Sequence, residues 1–290
     1  MSDAPQSDAP IPKLAGVCGW PIHHSLSPVL HNHWLKAAKI SGAYIPFAVR
    51  PDKAVAAFQS LKRTSISGVN VTLPLKRQAF LAADEHTPDA LKLGVSNCLF
   101  KRGGKLIGHN TDMEGFAAPL LTKITASKLS ESSVLLIGAG GASRAVIGAL
   151  LSLNVPEIKL TNRTDSKAES LADTVNLPSL YAVPWAKRNA AVASSQIIIN
   201  ASVAGMSGYP NLDLSLETAR PNTLVYDLIY TPRQTALLED AERQGCQMLG
   251  GLSMLIEQAR PSFRHFFGEL PPKDIDPTEV LYAALKAGIR

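Results

Sequence analysis

The sequence predicts an α/β protein built from two domains, and three observations support this fold class. The chain has 290 residues, which exceeds the size at which one hydrophobic core keeps growing. Segments with strand and helix patterns alternate along nearly all of it, and such alternation favours largely parallel sheets flanked by helices. The composition of 46% hydrophobic and 18% charged residues is typical of a well-packed globular protein.

The first domain is predicted over residues 13–113, after a polar, acidic and proline-containing segment over residues 1–12 that we expect to be a flexible tail. Its segments alternate between strand and helix periodicity. Two adjacent glycines, Gly103 and Gly104, predict a hairpin turn between two short strands. The predicted elements are strands Leu14–Cys18, Ala43–Val49, Gly68–Leu73, Leu99–Phe100 and Leu106–Ile107 and helices Pro28–Lys39, Pro51–Leu61 and Thr111–Leu121.

The second domain is predicted over residues 114–251, where the pattern is more regular. After a crossing rich in Ser, Thr and Lys, the alternation predicts a doubly wound parallel sheet. Two last helices, Leu252–Phe267 and Thr278–Ala287, are expected to pack back on the first domain, which therefore also includes residues 252–290. The elements predicted in the second domain are strands Val134–Ile137, Ile158–Thr161, Gln196–Asn200, Thr223–Ile229 and Gln247–Leu249 and helices Ala142–Leu151, Ser166–Val175 and Thr235–Gln244.

A glycine-rich turn lies directly between the first predicted strand of the second domain and its first helix. Gly138 permits a tight turn and Gly140 lets the backbone approach a pyrophosphate, while the helix N-terminus offers N–H groups to it. Ser143 stands where the generic pattern has a third glycine. The sequence therefore predicts a Rossmann-like dinucleotide site, with a turn that binds no ligand as the alternative. The proposed site consists of Gly138, Ala139, Gly140, Gly141 and Ala142.

The turn after the next predicted strand indicates which dinucleotide binds. Enzymes that use NAD place an acidic residue there to accept hydrogen bonds from the ribose. Here Asn162, Arg163 and Thr164 follow the strand, and an arginine can face a 2′-phosphate with charge-assisted hydrogen bonds. We therefore expect NADP. Asp165 keeps NAD as an alternative, and a solvated surface side chain is the alternative for Arg163.

Composition and spacing argue against several other classes of protein. The net charge of +5 comes from scattered residues, so we expect no nucleic-acid partner, although anionic ligands are favoured. No apolar stretch approaches the roughly 18 residues of a membrane span, so no membrane partner is expected. The three cysteines lie far apart, which fits buried thiols in a cytoplasmic protein. His23, His24 and His31 lack other ligands at metal-binding spacing, so no metal is expected.

Three polar clusters of the first domain carry the candidate chemistry. They place hydroxyls, amides, one amine and one carboxylate at short intervals along the chain. Simpler alternatives remain: the hydroxyls and the carboxylate of these clusters are also typical helix caps, and a lone lysine is usually solvated. The clusters are Ser25-Leu26-Ser27-Pro28, Asn70-Val71-Thr72-Leu73-Pro74-Leu75-Lys76 and Asn110-Thr111-Asp112.

These strings closely resemble the shikimate dehydrogenase family, in which a Ser-x-Ser-Pro turn, an Asn-Val-Thr-x-Pro-x-Lys segment and an Asn-Thr-Asp segment form the substrate site. The resemblance covers nearly the whole chain. It departs from the usual family pattern at Ser96, Cys98 and Ser202, none of which removes a group that the chemistry needs. The further matching stretches are Gly94–Leu99, Gly138–Ala142, Asn162–Thr164, Asn200–Met206, Asp227–Pro232 and Gly250–Gln258.

The resemblance implies a cytoplasmic enzyme of aromatic amino acid biosynthesis that reversibly reduces 3-dehydroshikimate to shikimate with NADPH. It implies that Lys76 and Asp112 form the catalytic pair. It also implies that Ser25 and Ser27 bind the substrate carboxylate. The remaining implied roles are substrate binding by Thr72, Asn97, Tyr230 and Gln258, and cofactor binding by Leu228, Gly251 and Met254.

Other functions are weighed beside this one. A quinate or dual quinate/shikimate dehydrogenase that uses NAD or both cofactors is the nearest alternative, and Asp165 is its best support. A regulator that binds nicotinamide cofactors without turnover is a second, although it would have no need of both Lys76 and Asp112. A folate dehydrogenase with the same two-domain plan is a third, and it has no reason to carry the Ser-x-Ser-Pro turn. The sequence leaves the choice between monomer and homodimer open.

Overall fold

The computed structural model describes residues 12–288 and divides into two compact units. The first unit comprises the described residues up to Asn110 and those from Arg260 onward, and the second comprises Thr111–Ala259. This division falls near the domain limits expected from the sequence but differs from them at both crossings. The tail expected over residues 1–12 lies outside the described residues, apart from Pro12.

Strands and short helices alternate through the first unit. The segment expected to be helical over Pro51–Leu61 opens with a 3-10 turn over Pro51–Lys53, and its α-helical part is shorter than expected. The elements are β1 (Lys13–Gly19), α1 (Ser27–Ala37), β2 (Gly42–Ala48), α2 (Ala54–Ser60), β3 (Ile66–Val71), α3 (Lys76–Ala82), β4 (Glu85–His86), α4 (Pro88–Leu93), β5 (Cys98–Arg102) and β6 (Lys105–His109).

The sheet of the first unit is mixed, in the order β2-β1-β3-β5-β6-β4. The pairs β1–β2, β1–β3 and β4–β6 are parallel, as expected for α/β segments. The pairs β3–β5 and β5–β6 are antiparallel. Gly103 and Gly104 join β5 to β6 with φ of 59° and 77°, the double positive φ that closes a two-residue hairpin. The predicted hairpin is confirmed, and it reverses the chain direction within an otherwise parallel sheet.

The second unit keeps the regular alternation seen in the sequence. Its central strands are fully buried, which explains their nearly continuous apolar composition. The elements are α5 (Asp112–Lys123), α6 (Ala126–Leu129), β7 (Ser133–Ile137), α7 (Gly141–Ser152), β8 (Glu157–Thr161), α8 (Asp165–Val175), β9 (Leu180–Ala182), α9 (Arg188–Ala193), β10 (Ile197–Asn200), β11 (Leu224–Asp227), α10 (Ala236–Arg243) and β12 (Gln247–Gly250).

The sheet of the second unit has the order β12-β11-β10-β7-β8-β9, and every pair in it is parallel. This is the strand order of the Rossmann fold, with the change of direction between β7 and β10. Ligands of such sheets bind beyond the carboxyl ends of the strands at that point. The predicted doubly wound parallel sheet is therefore confirmed, and it places the end of β7 at the ligand-binding edge.

The last two helices are α11 (Leu252–Phe267) and α12 (Thr278–Lys286). The part of α11 from Arg260 onward belongs to the first unit, as does α12. Within that unit the rings of Phe263, Phe266 and Phe267 surround His31 of α1. The end of the chain thus packs back on the first unit, as the sequence predicted.

Several short elements were not predicted. They include α3, β4, α4 and β9, which have between two and seven residues and therefore too few to show a periodicity. The strand expected over Thr223–Ile229 ends earlier, at Asp227. The physical reason is that the Ile229 N–H donates to the side chain of Asp227 at 3.1 Å, so the backbone leaves the sheet there.

Two further properties concern the described residues only. No helix between residues 12 and 288 is long and apolar enough to cross a membrane. Cys18, Cys98 and Cys246 are all buried free thiols, as the sequence predicted. Burial raises the pKa of Cys18 and of Cys98 to about 12, so neither is a nucleophile near neutral pH.

Candidate active-site residues in the two units

The turn before α1 carries the two serines predicted to bind an anionic group. Ser25 Oγ accepts a hydrogen bond from the Ser27 N–H at 3.3 Å. Helix α1 has Leu26 at its N-cap position, and no side chain caps it there. Ser27 is only 7% exposed. The Ser25 hydroxyl therefore stabilises the turn before α1, whereas the Ser27 hydroxyl does not cap the helix.

The loop that leads to this turn lies against the segment that carries Thr72. The Trp20 N–H donates to the Leu73 carbonyl at 3.3 Å, and the Thr72 N–H donates to the Cys18 carbonyl at 2.9 Å. A Cβ built on Gly19 would lie 2.7 Å from Thr72 Cγ2, so only glycine allows this approach. The first unit thus brings the ends of β1 and β3 together, with a predicted substrate residue at their junction.

Backbone hydrogen bonds link Lys76 to Asn97 in the same unit. Lys76 is the half-buried first residue of α3, and its carbonyl accepts from the Ser96 N–H at 3.1 Å. Asn97 is 3% exposed. Its carbonyl accepts from the Val71 N–H at 2.7 Å, and its N–H donates to the His109 carbonyl at 3.1 Å. Thr72 and Lys76, which share one motif, and Asn97, which belongs to another, therefore come from adjoining backbone segments.

A buried amide network fixes the position of Asn97, and sequence reasoning missed most of it. Tyr44 Oη donates to Asn70 Oδ1 at 2.8 Å. Asn70 Nδ2 donates to Ser262 Oγ at 2.8 Å and to the Asn97 carbonyl at 3.3 Å. Asn70 was noticed as part of a motif, whereas nothing local marks Tyr44 or Ser262. The amide of Asn70 thus holds β3, β5 and α11 in register beside Asn97.

Asp112 and Gln258 are brought close to one another in the second unit. Asp112 is the first residue of α5 and is 7% exposed. Its neighbour Thr111 is at the N-cap position without capping the helix through its side chain, and Thr111 Oγ1 donates to Gln258 Oε1 at 3.3 Å. A Cβ on Gly115 would lie 2.4 Å from Gln258 Cβ, so this glycine allows α5 and α11 to touch. Asp112 is a first-turn acid of α5, a placement that its helix dipole favours.

The glycine turn after β7 has the geometry that a pyrophosphate needs. Gly138 has φ of 108°, and a Cβ there would lie 3.0 Å from the backbone of Ala201. Gly140 and Gly141 face open space, because a Cβ on either one would meet no atom within 4 Å. Helix α7 begins at Gly141, and no side chain caps it. Its first N–H groups therefore point to an open cradle, which fits a dinucleotide phosphate.

The helix packing tolerates the hydroxyl at the third-glycine position. Ser143 is fully buried, and its Oγ has no hydrogen-bond partner among the described residues. The flanking residues Ala139 and Ala142 add no side chain larger than a methyl group to the turn. The turn therefore carries only small side chains, as a phosphate-binding turn requires.

The turn after β8 separates the two possible cofactors. Asn162 Nδ2 donates to the Thr164 carbonyl at 2.9 Å and stabilises the turn, while Arg163 is exposed. Asp165 Oδ1 accepts a hydrogen bond from the Trp185 N–H at 2.7 Å. The carboxylate that kept NAD as an alternative is thus engaged in joining the start of α8 to another loop. Arg163 presents its charge at the turn, which favours a 2′-phosphate.

The residues expected near the nicotinamide lie on two adjoining segments, after β11 and after β12. The Gly251 N–H donates to the Ile229 carbonyl at 3.1 Å. A Cβ on Gly251 would lie 2.0 Å from the Leu228 carbonyl oxygen, so only glycine fits. Met254 is half-buried in the first turn of α11. Burial raises the pKa of the Tyr230 phenol, so its hydroxyl stays protonated at neutral pH.

Between residues 12 and 288, no group of three or more His, Cys, Asp or Glu side chains is arranged to hold a metal ion. The geometry of the candidate residues instead offers hydroxyls, amides, one amine and one carboxylate. Groups of these types are suited to hydrogen bonding with a small polar molecule and to proton transfer. The second unit adds a phosphate cradle and an exposed guanidinium.

Family models match two stretches of the chain. Residues 17–99 match the shikimate dehydrogenase substrate binding domain. Residues 120–228 match the model described as shikimate / quinate 5-dehydrogenase. The first stretch lies in the first unit and the second stretch in the second unit.

Relatives match over nearly the full length. The NADP(+) shikimate dehydrogenase of Paracoccus denitrificans is 38% identical over 271 residues, which cover 92% of this chain and 96% of that protein. The Thermus thermophilus shikimate 5-dehydrogenase, solved with NADP(H) and shikimate, has a TM-score of 0.79 and 32% identity over 95% of this chain and 99% of that one. The Corynebacterium glutamicum quinate dehydrogenase, solved with NAD, has a TM-score of 0.84 and 27% identity over 95% and 99%.

Proposed function

Because this chain belongs to the shikimate dehydrogenase family, we propose that it reversibly reduces 3-dehydroshikimate to shikimate with NADPH. The observation that carries the proposal is the grouping of Thr72, Lys76 and Asn97 by backbone hydrogen bonds in the first unit. A substrate with several hydroxyls and a ketone needs such a set, namely short polar groups to orient it and one proton donor. The relative from Paracoccus denitrificans bears the name of this activity.

The residues present fit NADP. The open cradle at Gly140 and Gly141 would take the pyrophosphate, and the exposed Arg163 would take the 2′-phosphate. Leu228 and Gly251 would lie at the nicotinamide end, with Met254 packing beside them. When bound, NADPH supplies the hydride. The chain supplies the fixed backbone N–H groups of α7, which need no reorganisation when the phosphate arrives.

In the proposed mechanism the proton comes from Lys76. Its Nζ donates a proton to the ketone oxygen of the substrate as negative charge develops there, and in the reverse direction it accepts the proton from the hydroxyl. We assign Asp112 as its catalytic partner, a carboxylate that would orient the amine. This assignment derives from the family resemblance, and the burial of Asp112 at the start of α5 supports it.

Orientation of the substrate is assigned to neutral groups. Ser25 and Ser27 would bind the carboxylate, Thr72 and Asn97 the ring hydroxyls, and Tyr230 and Gln258 would complete the set. Hydroxyls rotate to suit a ligand and lose less hydration energy on burial than a guanidinium does. Such a set orients the substrate without a strong ionic contact, which favours turnover over tight substrate binding.

A matrix of four assays tests the proposal. The purified chain is mixed with shikimate or quinate and with NADP or NAD, and the absorbance of the reduced cofactor is followed. We expect the largest kcat/KM for shikimate with NADP. Faster turnover of quinate, or a preference for NAD, would support the quinate dehydrogenase alternative, and the engagement of Asp165 with Trp185 argues against that outcome. No turnover with any pair would reject the proposed function.

Two finer points belong to the same proposal. We propose a cytoplasmic location, which the three buried free thiols support. The second point is whether the chain is a monomer or a homodimer. Light scattering of the purified chain decides this, since a homodimer has twice the chain mass of 30.9 kDa.

A further inference from the structure

We propose that Asp227 is a positioning residue that sets the nicotinamide end of the cofactor site, an inference that rests on the proposed function. Asp227 is the last residue of β11 and has no exposed surface. Its carboxylate accepts from Thr235 Oγ1 at 2.6 Å, from Asn200 Nδ2 at 3.0 Å and from the Ile229 N–H at 3.1 Å. A fully buried carboxylate is costly to desolvate, so its place at the ligand-binding edge calls for a reason.

The bond to Ile229 fixes the direction of one peptide group. The Ile229 N–H and the Leu228 carbonyl belong to the same peptide unit, and in this trans unit they point in opposite directions. Because Asp227 holds the N–H, the Leu228 carbonyl is directed away from Asp227. It faces the α-carbon of Gly251, on which a Cβ would lie 2.0 Å from the carbonyl oxygen. Two residues expected at the nicotinamide end are thereby oriented by one side chain.

The bond to Asn200 extends the arrangement to the loop after β10. Asn200 Oδ1 accepts from Ser202 Oγ at 2.7 Å and from the Ser202 N–H at 3.1 Å. Asn200 Nδ2 also donates to the Ala204 carbonyl at 3.1 Å. This loop packs on the glycine turn, because a Cβ on Gly138 would lie 3.0 Å from the Ser202 nitrogen. Serine and the threonine that is usual at this position both carry a hydroxyl, and in Ser202 this hydroxyl bonds to Asn200.

The bond to Thr235 anchors the loop on its far side. Thr235 Oγ1 accepts a hydrogen bond from the Leu238 N–H at 3.3 Å and so caps α10. The same hydroxyl donates a hydrogen bond to Asp227 Oδ2. Tyr230 lies in the loop between Asp227 and Thr235. Asp227 thus bonds to both ends of the loop that carries Tyr230, through Ile229 and Thr235. It also bonds to Asn200, where the loop after β10 begins.

A purely structural role for Asp227 makes a different prediction from a positioning role. If the network only stabilises the fold, its loss lowers stability, and the folded fraction keeps its kcat. If it positions the nicotinamide end, the folded variant loses kcat, and the binding of the adenosine end does not change. The adenosine end depends on Arg163 and the turn after β8, whose hydrogen bonds from Asn162 to Thr164 and from Trp185 to Asp165 involve none of the residues that bond to Asp227.

The test compares Asp227→Ala with Asp227→Asn. Alanine removes both acceptor oxygens, and we expect kcat to fall about 10-fold to 100-fold, as for a reacting group displaced by about 1 Å. Asparagine keeps an oxygen for the Ile229 N–H, and its amide can donate to Thr235 Oγ1, so we expect kcat within about threefold of the wild type. The affinity for adenosine 2′,5′-bisphosphate, measured by calorimetry, should be unchanged in both variants.

Asp240→Ala is the matched control. Asp240 lies on α10 in the same unit, and its Oδ2 accepts from the Leu216 N–H at 3.1 Å, so its loss also removes a carboxylate bonded to a backbone amide. We expect it to lower the thermal midpoint without changing kcat. If Asp227→Ala behaved like this control, with kcat unchanged in folded protein, the positioning role would be rejected. An equal loss of bisphosphate affinity would reject it as well.

A second pair keeps the test open if Asp227→Ala does not fold. Thr235→Val removes the donor to Asp227 Oδ2 and should lower kcat, whereas Thr235→Ser keeps the hydroxyl and should restore it. An unchanged kcat in folded Thr235→Val would overturn the inference. The proposed function fails separately, since it requires the wild-type chain to oxidise shikimate with NADP, and this is measured before any variant is made.

Discussion

The substrate groups proposed in the first unit and the cofactor site proposed in the second unit differ in kind. In the first unit the candidate groups are side chains: hydroxyls of Ser25 and Thr72, the amide of Asn97 and the amine of Lys76. In the proposed cofactor site the main features are backbone positions, since Gly138, Gly140 and Gly251 would act by having no side chain. On the proposed function, the substrate would be recognised by side chains that can be replaced one at a time, and the cofactor mainly by the course of the backbone. The two units should therefore respond differently to mutation.

The units also differ in the polar residue buried behind these groups. Behind Asn97 it is Asn70, a neutral amide that donates and accepts. Behind the segment that carries Leu228 it is Asp227, which only accepts when ionised. An amide can link strands and helices in both directions, whereas a carboxylate gathers several N–H and O–H donors at one point. The choice of residue follows from what each edge of the sheet has to orient.

The largest effect is expected from a side-chain deletion in the first unit. Lys76→Ala removes the proposed proton donor, so kcat should fall about 10²-fold to 10⁴-fold, the usual contribution of general acid–base catalysis. NADPH affinity, measured by fluorescence titration, should hardly change, because the second unit binds the cofactor. Lys36→Ala, an exposed lysine on α1, is the control and should keep full kcat. A Lys76→Ala protein with normal kcat would contradict the division of labour.

The next effect tests a charged side chain, Arg163, which the second unit adds to its proposed backbone site. Arg163→Ala should raise the KM for NADPH about 10-fold to 100-fold, since hydrogen bonds to charged groups contribute about 1.5–3 kcal/mol. The KM for NADH, which has no 2′-phosphate, should change little. Arg243→Ala, an exposed arginine of α10 in the same unit, serves as the control. Equal losses for both cofactors would show that Arg163 does not contact the 2′-phosphate.

Two glycine substitutions sharpen the backbone side of the comparison. Gly251→Ala places a Cβ 2.0 Å from the Leu228 oxygen, so it should lower the free energy of unfolding by about 1–3 kcal/mol, as overpacking does. Gly140→Ala meets no atom within 4 Å and should leave stability nearly unchanged. Both should raise the KM for NADPH. Urea unfolding separates the two, and a loss of stability in Gly140→Ala would show that the cradle is not open.

A smaller effect concerns acid stability in the first unit. Burial among aromatic rings lowers the pKa of His31 to about 3, whereas in the unfolded chain it is about 6.5. The unfolded state binds the proton more readily than the folded state does. The folded state is therefore at its full stability above pH 6.5, and its free energy of unfolding decreases as the pH falls below that value. Between pH 7.5 and 5.5 the free energy of unfolding should drop by about 1.4 kcal/mol more in the wild type than in His31→Phe. Equal decreases in the free energy of unfolding of the two proteins would show that His31 does not cause the loss of stability in acid.

What the sequence could predict follows from how local each feature is. The glycine turn, the Asn162–Thr164 turn and the hairpin at Gly103 are determined by neighbouring residues, and they were predicted correctly. The Asn70 network joins residues that are 26 and 192 positions apart, so no local pattern marks Tyr44 or Ser262. The engagement of Asp165 by Trp185 is likewise a tertiary contact. The family resemblance supplied the candidate residues, and only the structure supplied their partners.

The most direct measurement of the central claim follows the hydride itself. The purified chain is incubated with 3-dehydroshikimate and NADPH that carries deuterium at both hydrogen positions of nicotinamide C4, and the product is analysed by mass spectrometry. The proposed function predicts deuterated shikimate in an amount equal to the NADP formed. Formation of NADP without shikimate, or of shikimate without deuterium, would contradict direct transfer between the cofactor and this substrate.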